Sequence, residues 1–135
     1  MKNDRARAVI LKDGYLLMIK RLRADNIYYV LPGGKIEEGE LPETTVMREV
    51  KEETSLDARF IKKLDILTGK DGTLHHIYLC EYISRVLKLT INSPEVAESS
   101  SGNTYTPVWV NIKEITGLQV WPEESKIFLL NYLKT

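Results

Sequence analysis

Three glutamates, Glu49, Glu52 and Glu53, have the spacing of side chains that share one face of a helix. On a helical wheel they occupy less than a third of the circumference, beside an apolar stripe that includes Val46 and Val50. Like charges at these spacings repel each other, and Glu53 lies next to the stripe, where an unpaired charge is costly. A solvated acidic face explains the exposed acids but not their position at the core's edge. A bound divalent cation that prefers oxygen ligands, Mg²⁺ or Mn²⁺, would remove the repulsion and supply the partner that Glu53 needs.

The residues around these glutamates extend the pattern in a fixed register. Gly34 is followed after five residues by Glu40, and after seven more by Arg48-Glu49-Val50-Lys51-Glu52-Glu53-Thr54-Ser55-Leu56. This segment resembles the Nudix box, which reads G, five spacers, E, seven spacers, R-E, an apolar residue, a spacer, E-E, a spacer, G and an apolar residue. Ser55 departs from the pattern, because it stands where the family has a glycine that caps the helix in a left-handed conformation. We expect the serine to cost about 1 kcal/mol in local strain.

The resemblance implies one domain over residues 1–135, with the box at 34–56. Its fold would be the Nudix fold, a mixed β-sheet sandwiched between helices, in the α/β (α+β) class. It also implies hydrolysis of a diphosphate linkage in a nucleoside derivative, with Mg²⁺ as the cofactor and Mn²⁺ as a substitute.

Carried over one position at a time, the resemblance also assigns roles to members of the box. Glu49, Glu52 and Glu53 would be the metal ligands, and the carbonyl of Gly33 or Gly34 would complete the coordination. Either Glu49 or Glu53 would orient the attacking water. Arg48 and Glu40 would hold these ligands in position without contacting the metal themselves.

Residues outside the box suggest where a substrate binds. Arg21 matches by position an arginine that MutT-type nucleoside triphosphate hydrolases use near their nucleotide; the alternative is a solvated charge. The segment Trp121-Pro122-Glu123-Glu124-Ser125 and the strand Pro107-Val108-Trp109-Val110 resemble segments of oxidised purine nucleoside triphosphate hydrolases. In those enzymes the acids read the base edge, but acids after a proline also favour a helix start without any ligand. Glu95 and Glu98 resemble in placement an extra carboxylate from a late loop, or are simply solvated.

The leading interpretation is therefore hydrolysis of a nucleoside triphosphate, with an oxidised purine of the 8-oxo-dGTP type as the finer candidate, to a monophosphate and pyrophosphate. Another nucleoside diphosphate derivative is the alternative: a nucleotide sugar, ADP-ribose or a dinucleoside polyphosphate. A domain that senses a nucleotide without cleaving it is a third interpretation. The complete set of box carboxylates argues against that last one.

The amino-acid composition argues against some classes of binding partner. In 135 residues, 19 Lys and Arg balance 19 Asp and Glu, so the basic excess of a duplex nucleic-acid binder is absent. Basic residues concentrate in 1–23 and glutamates in 37–53, and these two blocks could flank one site for an anionic substrate and a metal. The single Cys80 fits a reducing compartment. No apolar run approaches the length of a membrane span, so we expect a cytoplasmic monomer or homodimer with a small-molecule nucleotide substrate.

Turn residues and apolar periodicity predict the elements that position these side chains. Pro107 favours an edge position for its strand, and the adjacent His75 and His76 must face opposite sides of theirs, so they cannot bind one metal together. We predict strands at 5–11, 15–22, 27–31, 60–67, 74–83, 86–91 and 105–110, helices at 42–54, 111–115 and 123–133, a stop at Pro32-Gly33-Gly34, and a polar loop at 92–104.

Overall fold

A mixed sheet of seven strands runs through the computed structural model, which describes residues 3–83 and 103–134. Strands β1 to β7 span Arg5–Lys12, Tyr15–Arg23, Asn26–Val30, Gly33–Lys35, Ala58–Thr68, Leu74–Tyr82 and Asn103–Asn111. Helix α1 spans Pro42–Thr54, a 3₁₀ helix spans Ile112–Gly117, and helix α2 spans Glu123–Tyr132. None of the helices in these two stretches of chain combines the length and the apolar character that a membrane crossing requires.

Strand β1 is the organising strand of the sheet. It pairs in parallel with β6 and antiparallel with β4, and its last residues pair with β2, which in turn lies between β3 and β7. Its side chains alternate between two cores: Ala8 and Ile10 pack in the cluster that holds Val46 of α1, whereas Val9 packs with Leu129 of α2. The sheet is therefore sandwiched between α1 and α2, which confirms the predicted fold class.

Helix α1 forms where the sequence predicts it and for the expected reasons. Pro42 stands at its start, where a missing backbone N–H costs nothing, and Val46 and Val50 form its buried face. The helix ends at Ser55, which adopts the left-handed conformation (φ 61°) while its N–H donates to the Lys51 carbonyl. The serine thus takes the backbone geometry that the glycine of the box pattern favours.

Two sequence expectations need correction. The Gly33-Gly34 pair does more than stop a strand, because it forms β4 and pairs with Ala6 and Arg7 of β1. Strand β7 begins at Asn103, inside the predicted loop 92–104. Most of that loop and the predicted strand 86–91 lie outside the described residues. The edge position predicted from Pro107 is confirmed, since β2 is the only described strand that pairs with β7.

Candidate functional site

Arg48 is the centre of the polar contacts on α1. Its Nε and Nη2 atoms donate to the two carboxylate oxygens of Glu40, at 2.9 and 3.0 Å. Its Nη1 atom donates to Glu49 at 3.1 Å and to Glu52 at 3.4 Å. The hydrogen bonds from Arg48 lower the pKa of Glu40 to about 2, and those with Glu40 raise the pKa of Arg48. These are the contacts expected of residues that brace neighbouring carboxylates.

Glu49 lies against the backbone of β4. A Cβ atom on Gly34 would come within 2.5 Å of the Glu49 carboxyl carbon, so the close approach requires glycine. Burial raises the pKa of Glu49, although the Arg48 guanidinium counteracts part of this effect. Gly34, the first residue of the box, therefore leaves space for the half-buried carboxylate of Glu49.

Glu53 is held by the preceding glycine of the same strand. The Gly33 N–H donates to Glu53 Oε1 at 2.9 Å. Gly33 has a φ of 147°, and a Cβ there would lie 2.0 Å from the Ala6 carbonyl oxygen of β1. The half-buried position of Glu53 agrees with its predicted place beside the apolar stripe.

The glutamates of the box face different cavities. Glu53 lines a cavity of about 550 Å³, which also contains the predicted substrate residues Arg21 and Trp121. Glu49 lines a different cavity of about 1260 Å³, together with Glu40. Within 3–83 and 103–134, no group of three His, Cys, Asp or Glu side chains is placed to hold a metal ion together.

The donor chemistry of the box nevertheless fits a hard divalent cation. Glu49, Glu52 and Glu53 offer carboxylate oxygens, and Gly34 leaves the space that the Glu49 carboxylate occupies. Oxygen-only ligand sets suit Mg²⁺ and Mn²⁺ and do not favour zinc. The residues present therefore fit the predicted cofactor in kind, while the ligand roles stay a prediction.

Arg21 forms part of the wall of the 550 Å³ cavity. On the neighbouring strands Tyr28 and Tyr105 stand directly opposite it. Its guanidinium carbon lies 3.7 Å from the Tyr105 ring centroid and 5.5 Å from that of Tyr28. Cation–π contacts on both sides fix the side chain, so Arg21 is not a freely solvated charge.

The segment before α2 separates two cavities. Tyr29 N–H donates to the Gln119 carbonyl, and Trp121 N–H donates to the Tyr29 carbonyl, at 2.8 and 2.9 Å. These bonds fix Gln119 and Trp121 against β3, where both line the cavity of Glu53 and a second cavity of about 490 Å³. Glu123 and Glu124 line only the second of these two, so the structure places them apart from Glu53.

Arg7 and Gln119 are cavity residues that the sequence interpretation missed. Arg7 is 6% exposed and its Nη1 donates to the Leu31 carbonyl at 3.1 Å. Burial lowers its pKa to about 10, while Glu53 counteracts this effect. The sequence of β1 does indicate that Arg7 is buried. Side chains alternate along a strand, so Arg7 lies on the same face as the apolar Val9 and points towards a core.

Two other residues have informative environments. Cys80 is 2% exposed, and burial raises its pKa to about 11, so it packs as a small buried hydrophobic side chain. His75 and His76 line different cavities, in agreement with the expected opposite orientation. The proposed extra carboxylates Glu95 and Glu98 lie outside the described residues.

His75 should make the stability pH-dependent. It is buried beside Trp121, with ring centroids 6.0 Å apart, and burial followed by the charges of Arg7 and Arg5 lowers its pKa to about 4. The unfolded chain, with a histidine pKa near about 6.5, binds more protons, so stability falls as the pH drops from about 6.5 to about 4. We expect a loss on the order of 2 kcal/mol in chemical denaturation, and a shallower dependence in His75→Gln. An equal slope in that variant would contradict the assignment.

Comparisons with known proteins identify the family. The NUDIX domain model matches residues 1–130. A "MutT-like protein" of Streptomyces ambofaciens is 48% identical over 64 residues, which cover 47% of this chain and 38% of that protein. An "ADP-ribose pyrophosphatase" of Bacillus subtilis (strain 168) is 31% identical over 80 residues, or 56% of this chain and 43% of that protein. The chain thus spans less than half the length of these curated relatives.

A solved structure shows the same fold. The Nudix hydrolase from Nitrosomonas europaea superposes with a TM-score of 0.71 at 22% identity, covering 99% of this chain and 91% of its own. The domain model, in turn, matches nearly all of the chain and includes the glycines and glutamates whose contacts are described above. The protein belongs to the Nudix family.

Proposed function

We propose that the protein is a divalent-metal-dependent hydrolase that cleaves a diphosphate linkage in a nucleoside derivative. One observation supports this most strongly: a single cavity joins Glu53 of the box to four arginines, Arg5, Arg7, Arg21 and Arg23. An anionic substrate and a carboxylate-bound cation both fit such a cavity, because its positive wall attracts phosphate and its carboxylate attracts the metal.

We assign metal binding and activation of the attacking water to the glutamates of the box. Glu49, Glu52 and Glu53, with the Gly34 carbonyl, would hold Mg²⁺ or Mn²⁺. When bound, such a cation neutralises phosphate charge, lowers the pKa of coordinated water and stabilises the leaving oxygen. Glu49 or Glu53 orients the attacking water and accepts its proton.

Supporting residues hold these groups in place. Arg48 and Glu40 keep Glu49 and Glu52 in position through the contacts that Arg48 makes with all three carboxylates. Arg21, fixed between two tyrosines, faces the substrate without having to be ordered on binding.

A nucleoside triphosphate is the favoured substrate, with a monophosphate and pyrophosphate as products. Four arginines against one glutamate give the described lining of the cavity an excess of positive charge. A triphosphate carries more negative charge than ADP-ribose or a nucleotide sugar and uses this excess better. An oxidised purine of the 8-oxo-dGTP type is the finer proposal, and it requires the base to reach Trp121 and Glu124.

ADP-ribose is the second candidate. The B. subtilis relative bears the name ADP-ribose pyrophosphatase, and the chain aligns with it at 31% identity over 80 residues. The cavity behind Trp121 offers room for a second sugar next to the cavity of Glu53. Nucleotide sugars and dinucleoside polyphosphates share the same cleaved linkage, and a non-catalytic sensor would bind one of these ligands without cleaving it.

A substrate panel tests the proposal. Purified protein with Mg²⁺ is incubated with nucleoside triphosphates, oxidised purine triphosphates, ADP-ribose, nucleotide sugars and dinucleoside polyphosphates, and the products are identified by mass. We expect cleavage of at least one class, triphosphates fastest, and no cleavage after EDTA treatment. Binding of a nucleotide without turnover of any of them would favour the sensor interpretation.

Glu124→Ala tests the base-reading proposal. We expect this change to lower kcat/KM for purine substrates by about tenfold or more and to affect pyrimidines far less, because a lost hydrogen bond to the base affects only the base it contacts. Glu114→Ala is the control, since Glu114 is an exposed acid of the 3₁₀ helix that lines neither the cavity of Glu53 nor that of Glu124. Equal losses for purines and pyrimidines would remove Glu124 from base recognition.

A further inference from the structure

Arg7 is a buried cation in the middle of the sheet. It stands opposite Gly33 of β4 and Ile77 of β6, and only 6% of its surface is exposed. One of its N–H groups donates to the Leu31 carbonyl, but the enclosed Nε has no hydrogen-bond partner among residues 3–83 and 103–134. A guanidinium has five N–H donors, and here the enclosed Nε–H is left without an acceptor. Packing alone gives no reason to place such a group here.

The described side chains around Arg7 carry more positive than negative charge. Arg7 lines the same cavity as Glu53, and three more arginines line it. Glu53 already accepts a hydrogen bond from Gly33, and it is the single carboxylate in the described lining. The part of the lining that the structure describes therefore carries an excess of positive charge around an enclosed guanidinium.

We propose that Arg7 forms the inner part of an anion subsite that binds a phosphoryl group of the substrate's diphosphate, and the same group in released pyrophosphate. The planar fork of a guanidinium matches two phosphate oxygens, and such charge-assisted bonds are the strong ones. The identity of the anion rests on the proposed function, since Arg7 and Glu53 share one cavity. The competing explanation is structural, with Arg7 serving only to tether Leu31 and balance the charge of Glu53.

Anion binding without metal separates the two explanations. The protein is freed of metal with EDTA, desalted, and titrated with inorganic pyrophosphate in a calorimeter. We expect wild type to bind, and Arg7→Lys to raise Kd by about 10- to 100-fold, because lysine keeps the charge but loses the fork. Arg59→Met is the matched control: it removes an arginine charge at an exposed position of β5 that does not line this cavity, and should raise Kd less than about threefold.

A second measurement does not depend on how the variants fold. In wild-type protein labelled with ¹⁵N, the Arg7 Nε–H resonance is followed while pyrophosphate is added without metal. We expect it to shift with the same Kd as the calorimetric titration. An unmoved Arg7 resonance, equal losses in Arg7→Lys and Arg59→Met, or no binding by wild type would each overturn the subsite.

The subsite and the proposed function can fail separately. Pyrophosphate binding through Arg7 with no nucleotide cleaved in Mg²⁺ supports the subsite and contradicts the hydrolase. Cleavage in Mg²⁺ with pyrophosphate binding that is insensitive to Arg7 supports the hydrolase and leaves Arg7 as a structural residue.

Discussion

Glu53→Gln is expected to lower kcat by about 10²- to 10⁴-fold while the circular dichroism spectrum stays that of wild type. The amide has nearly the same shape as the carboxylate and can still accept the hydrogen bond from the Gly33 N–H. In the wild-type protein this bond is 2.9 Å long. It cannot offer a negative charge to a divalent cation or take a proton from water. The change therefore removes chemistry from the site while leaving the fold intact, and steady-state rates on the cleaved substrate measure it.

The matched control for this variant is Glu43→Gln. Glu43 lies in the first turn of the same helix, is exposed, occupies a spacer position of the box and does not line the cavity of Glu53. It loses the same charge, so a general effect of net charge would appear in both variants. Equal rates for Glu43→Gln and Glu53→Gln would remove Glu53 from the catalytic machinery.

Gly33→Ala is expected to destabilise the protein by more than about 3 kcal/mol or to prevent folding. The added Cβ would lie 2.0 Å from the Ala6 carbonyl oxygen, and the φ of 147° is one that residues with a Cβ rarely adopt. The clashing atoms belong to the backbone of β1, so a rotamer change cannot relieve them. The free energy of unfolding from urea titration, or the absence of a cooperative transition, measures the effect.

Two neighbouring glycines calibrate this result. Gly39 also has a positive φ of 82°, but a Cβ there meets nothing within 4 Å, so Gly39→Ala should cost only about 1–2 kcal/mol. Gly34→Ala would push against the Glu49 carboxylate, a side chain that can move. We expect it to lose more activity than stability. A Gly33→Ala variant as stable as Gly39→Ala would show that β4 does not need the close approach to β1.

The box glutamates illustrate what a local pattern can predict. The helix, its apolar stripe and the partial burial of Glu53 follow from residues three and four apart, since helical periodicity converts sequence spacing directly into direction. The contacts of Arg48 with Glu49 and Glu52 are local for the same reason. The contact between Arg48 and Glu40 crosses the loop before the helix. The family pattern includes both residues, but the contact itself was seen only in the structure.

The cavity shows where such prediction ends. Arg7, Arg21, Glu53 and Trp121 come from β1, β2, α1 and the segment before α2, and no sequence spacing relates them. The acids Glu123 and Glu124, which the sequence predicts to contact the substrate, line the adjoining cavity on the other side of Trp121. The hydrogen bonds of Tyr29 with Gln119 and Trp121 decide this division, and they join residues about ninety positions apart.

By itself, the sequence determined the acidic helix, the register of the box, the left-handed end at Ser55 and the mixed fold, because each depends on local periodicity or on a pattern of residue types. Only the tertiary structure decided that Gly33 and Gly34 form a strand, that Arg7 is buried, and that Glu49 and Glu53 face different cavities. Long-range pairing of β1 with β4 and β6, which places Arg7 opposite Gly33 and Ile77, sets these features. The same arginine in a strand is solvated at an edge and enclosed at the centre, and its neighbours in sequence do not distinguish the two.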